Sequence, residues 1–444
     1  MAVDHPISAD RKSGLIGAGR WLVYHLLSLE TVLVLFLHGR HLRVFLPNIP
    51  FPETLLFGGV SVVVAGWLIL RDGIYRRGIP IVIAGLVFSA WMLAAYGWTQ
   101  ETALARENLN FILGVNLWAL FVAACVVANS RERVLRLLLL LVAVASVLSF
   151  SGLYIEQMHG SFRFYRGSAG DWDPRTYLSW GNIVATGAAI AMALVVQTRL
   201  GSRKQLVAAI IFCAGFLFVM ISGARGAALG ITAAALFALF VDRPRINHGR
   251  IEVPKTQFVV VTVSLLLVAY VAYLLTTGQT TSTLGRFLQL FDQADDPLLR
   301  RGANRFDYFA GAYRAWLAAP LFGQGLYGFS HFFCGPGAPP GCYPHNAILH
   351  ILADFGLIGL LLFGVFAVAA MRHLHLERLR RDPLMLTLTM AFVTVVVNVM
   401  VASDTATNYR LFFFLGLLAL RPPPASDDEE DEEEGEDEDR AVAA

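Results

Sequence analysis

Charged residues are scarce in this chain. Of its 444 residues only 15% are Asp, Glu, Lys or Arg, against 56% hydrophobic, and the mean hydropathy is +0.59. A soluble globular domain carries about a quarter charged residues, so that class is excluded and a membrane protein is the default. No Walker A sequence is present, and nothing else suggests internal ATP hydrolysis. The short alternating apolar and polar segments of a membrane barrel are also lacking, so the spans must satisfy their backbone groups as helices. Cysteine is limited to Cys125, Cys213, Cys334 and Cys342, whose spacings make no zinc site.

What is present is a series of apolar runs of about 18 to 22 residues, each long enough to cross a bilayer. They predict an all-α polytopic membrane protein of about twelve helices, near 21–38, 53–70, 79–98, 109–128, 134–153, 178–197, 205–222, 224–241, 257–277, 344–371, 384–402 and 405–420. Basic residues mark alternate loops: Arg11, Lys12 and Arg20; Arg71, Arg76 and Arg77; Arg131, Arg133 and Arg136; Arg199, Arg203 and Lys204; Arg243, Arg245, Arg250 and Lys255; Arg372, Arg378, Arg380 and Arg381. The positive-inside rule places all of these, and both termini, in the cytoplasm. No cleavable signal peptide is expected ahead of the first span. The net charge of +2 hides a basic body, because residues 427–439 hold 12 of the 33 acidic residues. The domain reading is a transmembrane unit over 1–420 and a disordered, solvated acidic tail over 421–444, with no catalytic role.

The ionisable residues that this rule leaves unexplained are mostly arginines outside the cytoplasmic loops, and lysine is absent from that set. Guanidinium offers a planar fork of donors that grips phosphate oxygens bidentately, so the external face reads as built for phosphate or pyrophosphate. Arg40, Arg43 and Arg106 lie close to span ends and equally suit lipid head groups. Arg163, Arg166 and Arg175 sit deeper in a loop. Arg225 stands in the string Ser222-Gly223-Ala224-Arg225-Gly226, a tight turn or break between two apolar runs where small residues permit close approach. Asp171-Trp172-Asp173 has the form of a metal-holding pair of nucleotide-sugar enzymes, but nucleotide sugars are cytoplasmic and the pattern is common, so it is set aside.

A long external segment, about 278–343, is more than a connection. Within it Asn304 to Ala318 places Phe306, Phe309, Ala310, Tyr313, Trp316 and Leu317 at helical spacing, with Arg305 in the first turn and Pro320 ending the helix. The aromatic face would rest on the membrane interface, and the stripe reads as packing sooner than as ligand binding. Cys334 and Cys342 lie in a Gly/Pro-rich stretch placed outside the cytoplasm, where a disulfide is permitted. His345 follows at the outer end of the tenth span, partly dry and within reach of water, beside Asn346. At such a position it is either structural or a catalytic imidazole.

Taken together, these features resemble one family. The Asn304-Arg305 start to an aromatic helix, Pro320-Leu321-Phe322-Gly323-Gln324-Gly325, Pro344-His345-Asn346 and Phe355-Gly356-Leu357-Ile358-Gly359 resemble the O-antigen ligase and polymerase superfamily of bacterial membrane glycan transferases. The likeness is most specific between Asn304 and Gly364, and within the superfamily it leans to the ligase.

The resemblance implies a GT-C-like glycosyltransferase of the bacterial inner membrane, with its active site facing the periplasm. It implies inverting transfer of O-antigen from an undecaprenyl-diphosphate carrier to a sugar of lipid A core, in lipopolysaccharide biosynthesis. No cofactor, metal or nucleic acid is expected; the partners would be donor, acceptor and membrane lipids. By the same resemblance His345 and Arg305 are the catalytic candidates, and Arg225, Arg301, Arg163 and Arg166 the diphosphate contacts. Arg300 and Arg301 compete with Arg305 for the family's arginine. A polymerase using the same donor, and a transporter of lipid-linked glycan, are the alternatives; no internal repeat favours transport.

Overall fold

The computed structural model describes residues 28–42, 52–159, 176–199, 201–242, 245–247, 250–252, 305–338, 341–402 and 408–423, with six single residues between Gln257 and Thr276. The chain is a helical membrane bundle. Among the described residues eight helices are long and apolar enough to cross a membrane, from Glu53–Asp72 to Pro383–Val401, and two shorter apolar helices cover Leu29–Gly39 and Arg225–Val241. These ten coincide with ten of the twelve expected spans. Of the span expected at 257–277 only the six single residues are described, all helical. At the last expected span the described residues form a helix of nine, Tyr409–Leu417.

In chain order the helices are α1 (Leu29–Leu42), α2 (Glu53–Asp72), α3 (Ile79–Ala94) and α4 (Thr102–Asn110). The fourth span continues through π-helical turns at Phe111–Asn116 and Ala123–Val127, on either side of α5 (Leu117–Val122). Then come α6 (Arg131–His159), α7 (Thr176–Gln197), α8 (Arg203–Ser222) and α9 (Arg225–Val241). After α9 the strands β1 (Arg245–Asn247) and β2 (Arg250–Glu252) pair antiparallel, with Ile246 opposite Ile251, a small addition to the expected all-helical chain. The remaining helices are α10 (Arg305–Ala318), α11 (Gly328–Cys334), α12 (Ala347–Met371), α13 (Leu376–Arg381), α14 (Pro383–Ala402) and α15 (Tyr409–Leu417).

Consecutive spans run in alternate directions, which sorts the chemistry to two ends. At one end, rich in arginine, the Arg131 guanidinium donates twice to the Asp382 carboxylate at 2.7 Å, and Arg133 pairs with Asp72 at 2.5 Å. Arg378 and Arg380 there donate to the carbonyls of Leu420 and Val241, tying α13 to the ends of α15 and α9. Opposite this basic end lie the α9 start at Arg225, the α12 start and the loop after α10. Between the ends the helices approach closely through small residues: a Cβ on Gly187 of α7 would lie 2.2 Å from the Ala145 methyl of α6. An aromatic cluster of Phe88, Phe355, Phe366 and Phe412 fills the seam of α3, α12 and α15.

Candidate functional site

The site grows from the way α12 begins. Asn346 caps the helix, its side-chain oxygen accepting the Leu349 N–H at 3.0 Å. The residue before it, His345, has φ 54°, in the left-handed region, which is uncommon for any residue but glycine and costs about 1–3 kcal/mol where it is held. That turn sets the imidazole between the Tyr343 ring, 4.3 Å away between centroids, and the edge of Tyr308 on α10, 5.5 Å away. The buried Nδ1 of His345 has no hydrogen-bond partner among the described residues. Burial, then the positive charge of Arg305, then His350, push its pKa down to about 4, so the ring is neutral at neutral pH. The value lies well below that of a free imidazole, about 6.5.

Arg305 opens α10, and its field at His345 shows that these two expected residues are brought together. The buried side of α10 is its small one, Gly311, Ala312 and Ala315, while Phe306, Tyr313 and Leu317 are exposed. The side of α10 turned towards the protein is therefore its small one, because the Phe333 ring lies where a larger side chain would stand at Gly311. Cys334 at the end of α11 is disulfide-bonded to Cys342, and the Ser330 hydroxyl donates to the Cys342 carbonyl at 2.6 Å, closing the loop that leads to His345.

The loop after α10 docks on a break in α12. Gly356 has φ 66° and ψ −167°, so the helix is interrupted and its free backbone groups turn outward. The N–H groups of Leu357 and Ile358 donate to the Pro320 and Leu321 carbonyls at 2.9 and 3.3 Å, and those of Gln324 and Gly325 to the Ala353 and Asp354 carbonyls at 2.8 and 2.9 Å. A Cβ on Gly356 would stand 2.2 Å from the Leu321 oxygen, and one on Gly323 2.3 Å from the Asp354 backbone. Glycine is required at both places.

Asp354 locks this arrangement. Fully buried, its carboxylate accepts the N–H of Tyr327 at 3.0 Å and of Phe329 at 2.8 Å, and lies 3.1 Å from Nε2 of buried His350. Sequence reasoning missed it, although an imidazole and a carboxylate four apart in an apolar run are the signal of a buried pair. The same reasoning passed over a second pairing, in which Glu101 Oε2 comes within 3.8 Å of His331 Nδ1. Thr99, two residues earlier, donates to the Leu326 carbonyl at 2.6 Å and ties this corner to the docked loop.

Arg225 begins α9, directly after a tight turn in which Gly223 is left-handed. Arg163, Arg166 and Arg301 lie outside the described residues. A surface cleft between Asp72, Arg131 and Arg421 lies at the basic end, away from His345.

A comparison with curated proteins finds no match. Residues 207–364, which hold Arg225, Arg305, the disulfide, the docked loop and His345, match the family model described as O-antigen ligase.

Proposed function

We propose that this multi-pass membrane protein transfers a glycan from an undecaprenyl-diphosphate carrier to a sugar of lipid A core, at the periplasmic face of the bacterial inner membrane. The observation that carries the reading is the juxtaposition of Arg305 with a neutral His345 whose buried Nδ1 has no described partner, inside the O-antigen ligase domain. In the proposed reaction the acceptor hydroxyl attacks the anomeric carbon from the face opposite the diphosphate, inverting that centre. The bond between anomeric carbon and phosphate oxygen breaks, and its electron pair leaves with the carrier diphosphate. Arg305, with Arg225, Arg163, Arg166 and Arg301 as further contacts, offers positive charge where that negative charge develops. His345 orients the hydroxyl and takes its proton.

A pKa of about 4 makes His345 always available as a base but a weak one. Donor binding changes this, because a diphosphate against Arg305 offsets the field that holds the pKa down. Proton affinity then rises when the substrate is in place. The ligase is distinguished from a polymerase by its product: purified protein, given lipid-linked donor with and without lipid A core, is expected to form the core conjugate and no longer lipid-linked chains. Chain lengthening on the carrier with core present would establish the polymerase instead.

A further inference from the structure

The basic end of the bundle carries more positive charge than the carboxylates beside it balance. A cleft of about 810 Å3 there is lined by Arg77, Arg131, Arg133 and Arg421, and among the described residues by one carboxylate, Asp72. Further cations stand close by. Burial, then the charges of Arg372, Arg77 and Arg378, lower the pKa of His373. Burial also lowers that of Arg378; Asp382 opposes this, and Arg131 and Arg77 add to it. These arginines therefore feel one another, as like charges crowded on one face do.

The carboxyl-terminal segment of the chain leaves from this cleft. Pro422 and Pro423 line it, the Arg421 N–H donates to the Ala128 carbonyl at 2.9 Å, and the Arg421 carbonyl accepts from Arg131 at 3.3 Å. Four residues beyond Pro423, outside the described residues, begins the run 427–439, which is 12 carboxylates and one glycine. At about 3.5 Å per residue the run starts within about 14 Å of Pro423 and extends up to about 45 Å, enough to cover the cleft. The other undescribed segments expected at this end do not offer that charge. Residues 1–27 carry Asp4 and Asp10 against Arg11, Lys12 and Arg20, and residues 243–256 carry Glu252 against Arg243, Arg245, Arg250 and Lys255. Exposed ion pairs are individually weak, but a tether holds the run at an effective concentration on the order of millimolar, so that many act together. We infer that residues 427–439 dock on the arginine-lined cleft at the basic end, instead of standing free in solvent. The docked run takes surface that anionic lipid head groups would otherwise occupy. The inference is independent of the transfer proposed above.

The test is carbodiimide cross-linking of the detergent-purified full chain, which joins a carboxylate to an amine in contact with it. Arg77→Lys keeps the charge of an exposed residue and places an amine in the cleft. Native Lys204, exposed at the start of α8, is the reference amine in the same molecule. At about 0.1 M salt, peptide mass spectrometry is expected to find residues 427–439 joined to position 77 at least about fivefold more than to Lys204, because docking raises the local concentration of carboxylate. Raising the salt to about 1 M shortens the screening length from about 10 to about 3 Å and is expected to remove most of that excess. Mixing chains of two isotopic masses separates links within a chain from links between copies. Equal yields at the two amines, an excess that survives 1 M salt, or links between copies alone would overturn the inference.

Discussion

His345 carries the most information at the scale of single residues. Its left-handed backbone sets it between Tyr343 and Tyr308, and burial, then the charge of Arg305, then His350 hold the imidazole neutral. If the neutral ring is the active form, kcat/KM is expected to stay flat from neutral pH down to about 5 and fall only as pH drops through about 4. The acid limb of kcat should lie at higher pH than that of kcat/KM, because bound diphosphate raises the ring's proton affinity. Initial rates of transfer across pH, at limiting and saturating donor, read both limbs. An acid limb of kcat/KM near the ordinary histidine value of about 6.5 would mean that Arg305 and burial do not act on the catalytic group. Pro344-His345-Asn346 was visible in the sequence as a helix mouth, but the pKa was not, since it depends on α10 lying 40 residues earlier in the chain and on burial that no local pattern encodes.

At the scale of elements, the docking of the loop after α10 into the break of α12 organises the site. Gly356 and Gly323 allow two stretches of backbone to touch, and Asp354 fastens the Tyr327 and Phe329 amides onto the same turn. Gly356→Ala introduces both a strained backbone and a Cβ against the Leu321 carbonyl, so the loop must lift away. Transfer is expected to fall at least about a hundredfold, as misplacement of reacting groups by about 1 Å does, with the bundle still folded by circular dichroism. Near-parental rates would show that the break is not needed for alignment. The sequence marked the glycine-rich stretch and the Phe355-Gly356 motif separately. It held no sign that they meet, because backbone hydrogen bonds between segments some 30 residues apart leave no side-chain pattern, and the acidic residue that fastens them reads as one more polar interruption in an apolar span.

At the scale of the whole molecule, alternating spans separate a basic end, held by arginine pairs and carbonyl contacts, from an end that holds His345 and Arg225. Hydropathy and loop charge made most of this legible, since the length of an apolar run and the position of arginine are local properties. The short α15 and the hydrogen bond between Asn398 and Asn182 were not, because amides inside spans acquire partners only from the neighbours that packing supplies. At the basic end Asp382, almost fully buried, depends on Arg131. Asp382→Ala leaves that arginine without its carboxylate and is expected to cost about 3 kcal/mol, in the range for breaking a buried pair. Equilibrium unfolding in mixed detergent micelles measures this, and a change under about 0.5 kcal/mol, within the range of ordinary surface substitutions, would show that the pair does not hold the bundle together.

The central claim is that Arg305 and His345 together perform the transfer. It is tested most directly by following polysaccharide from undecaprenyl diphosphate to lipid A core, with EDTA present, in the parent, His345→Ala and Arg305→Ala. The account predicts product from the parent and a loss of about a hundredfold or more in each variant, the scale of a lost general base or of lost charge stabilisation. Full transfer by either folded variant, or none by a folded parent with intact donor, would contradict it.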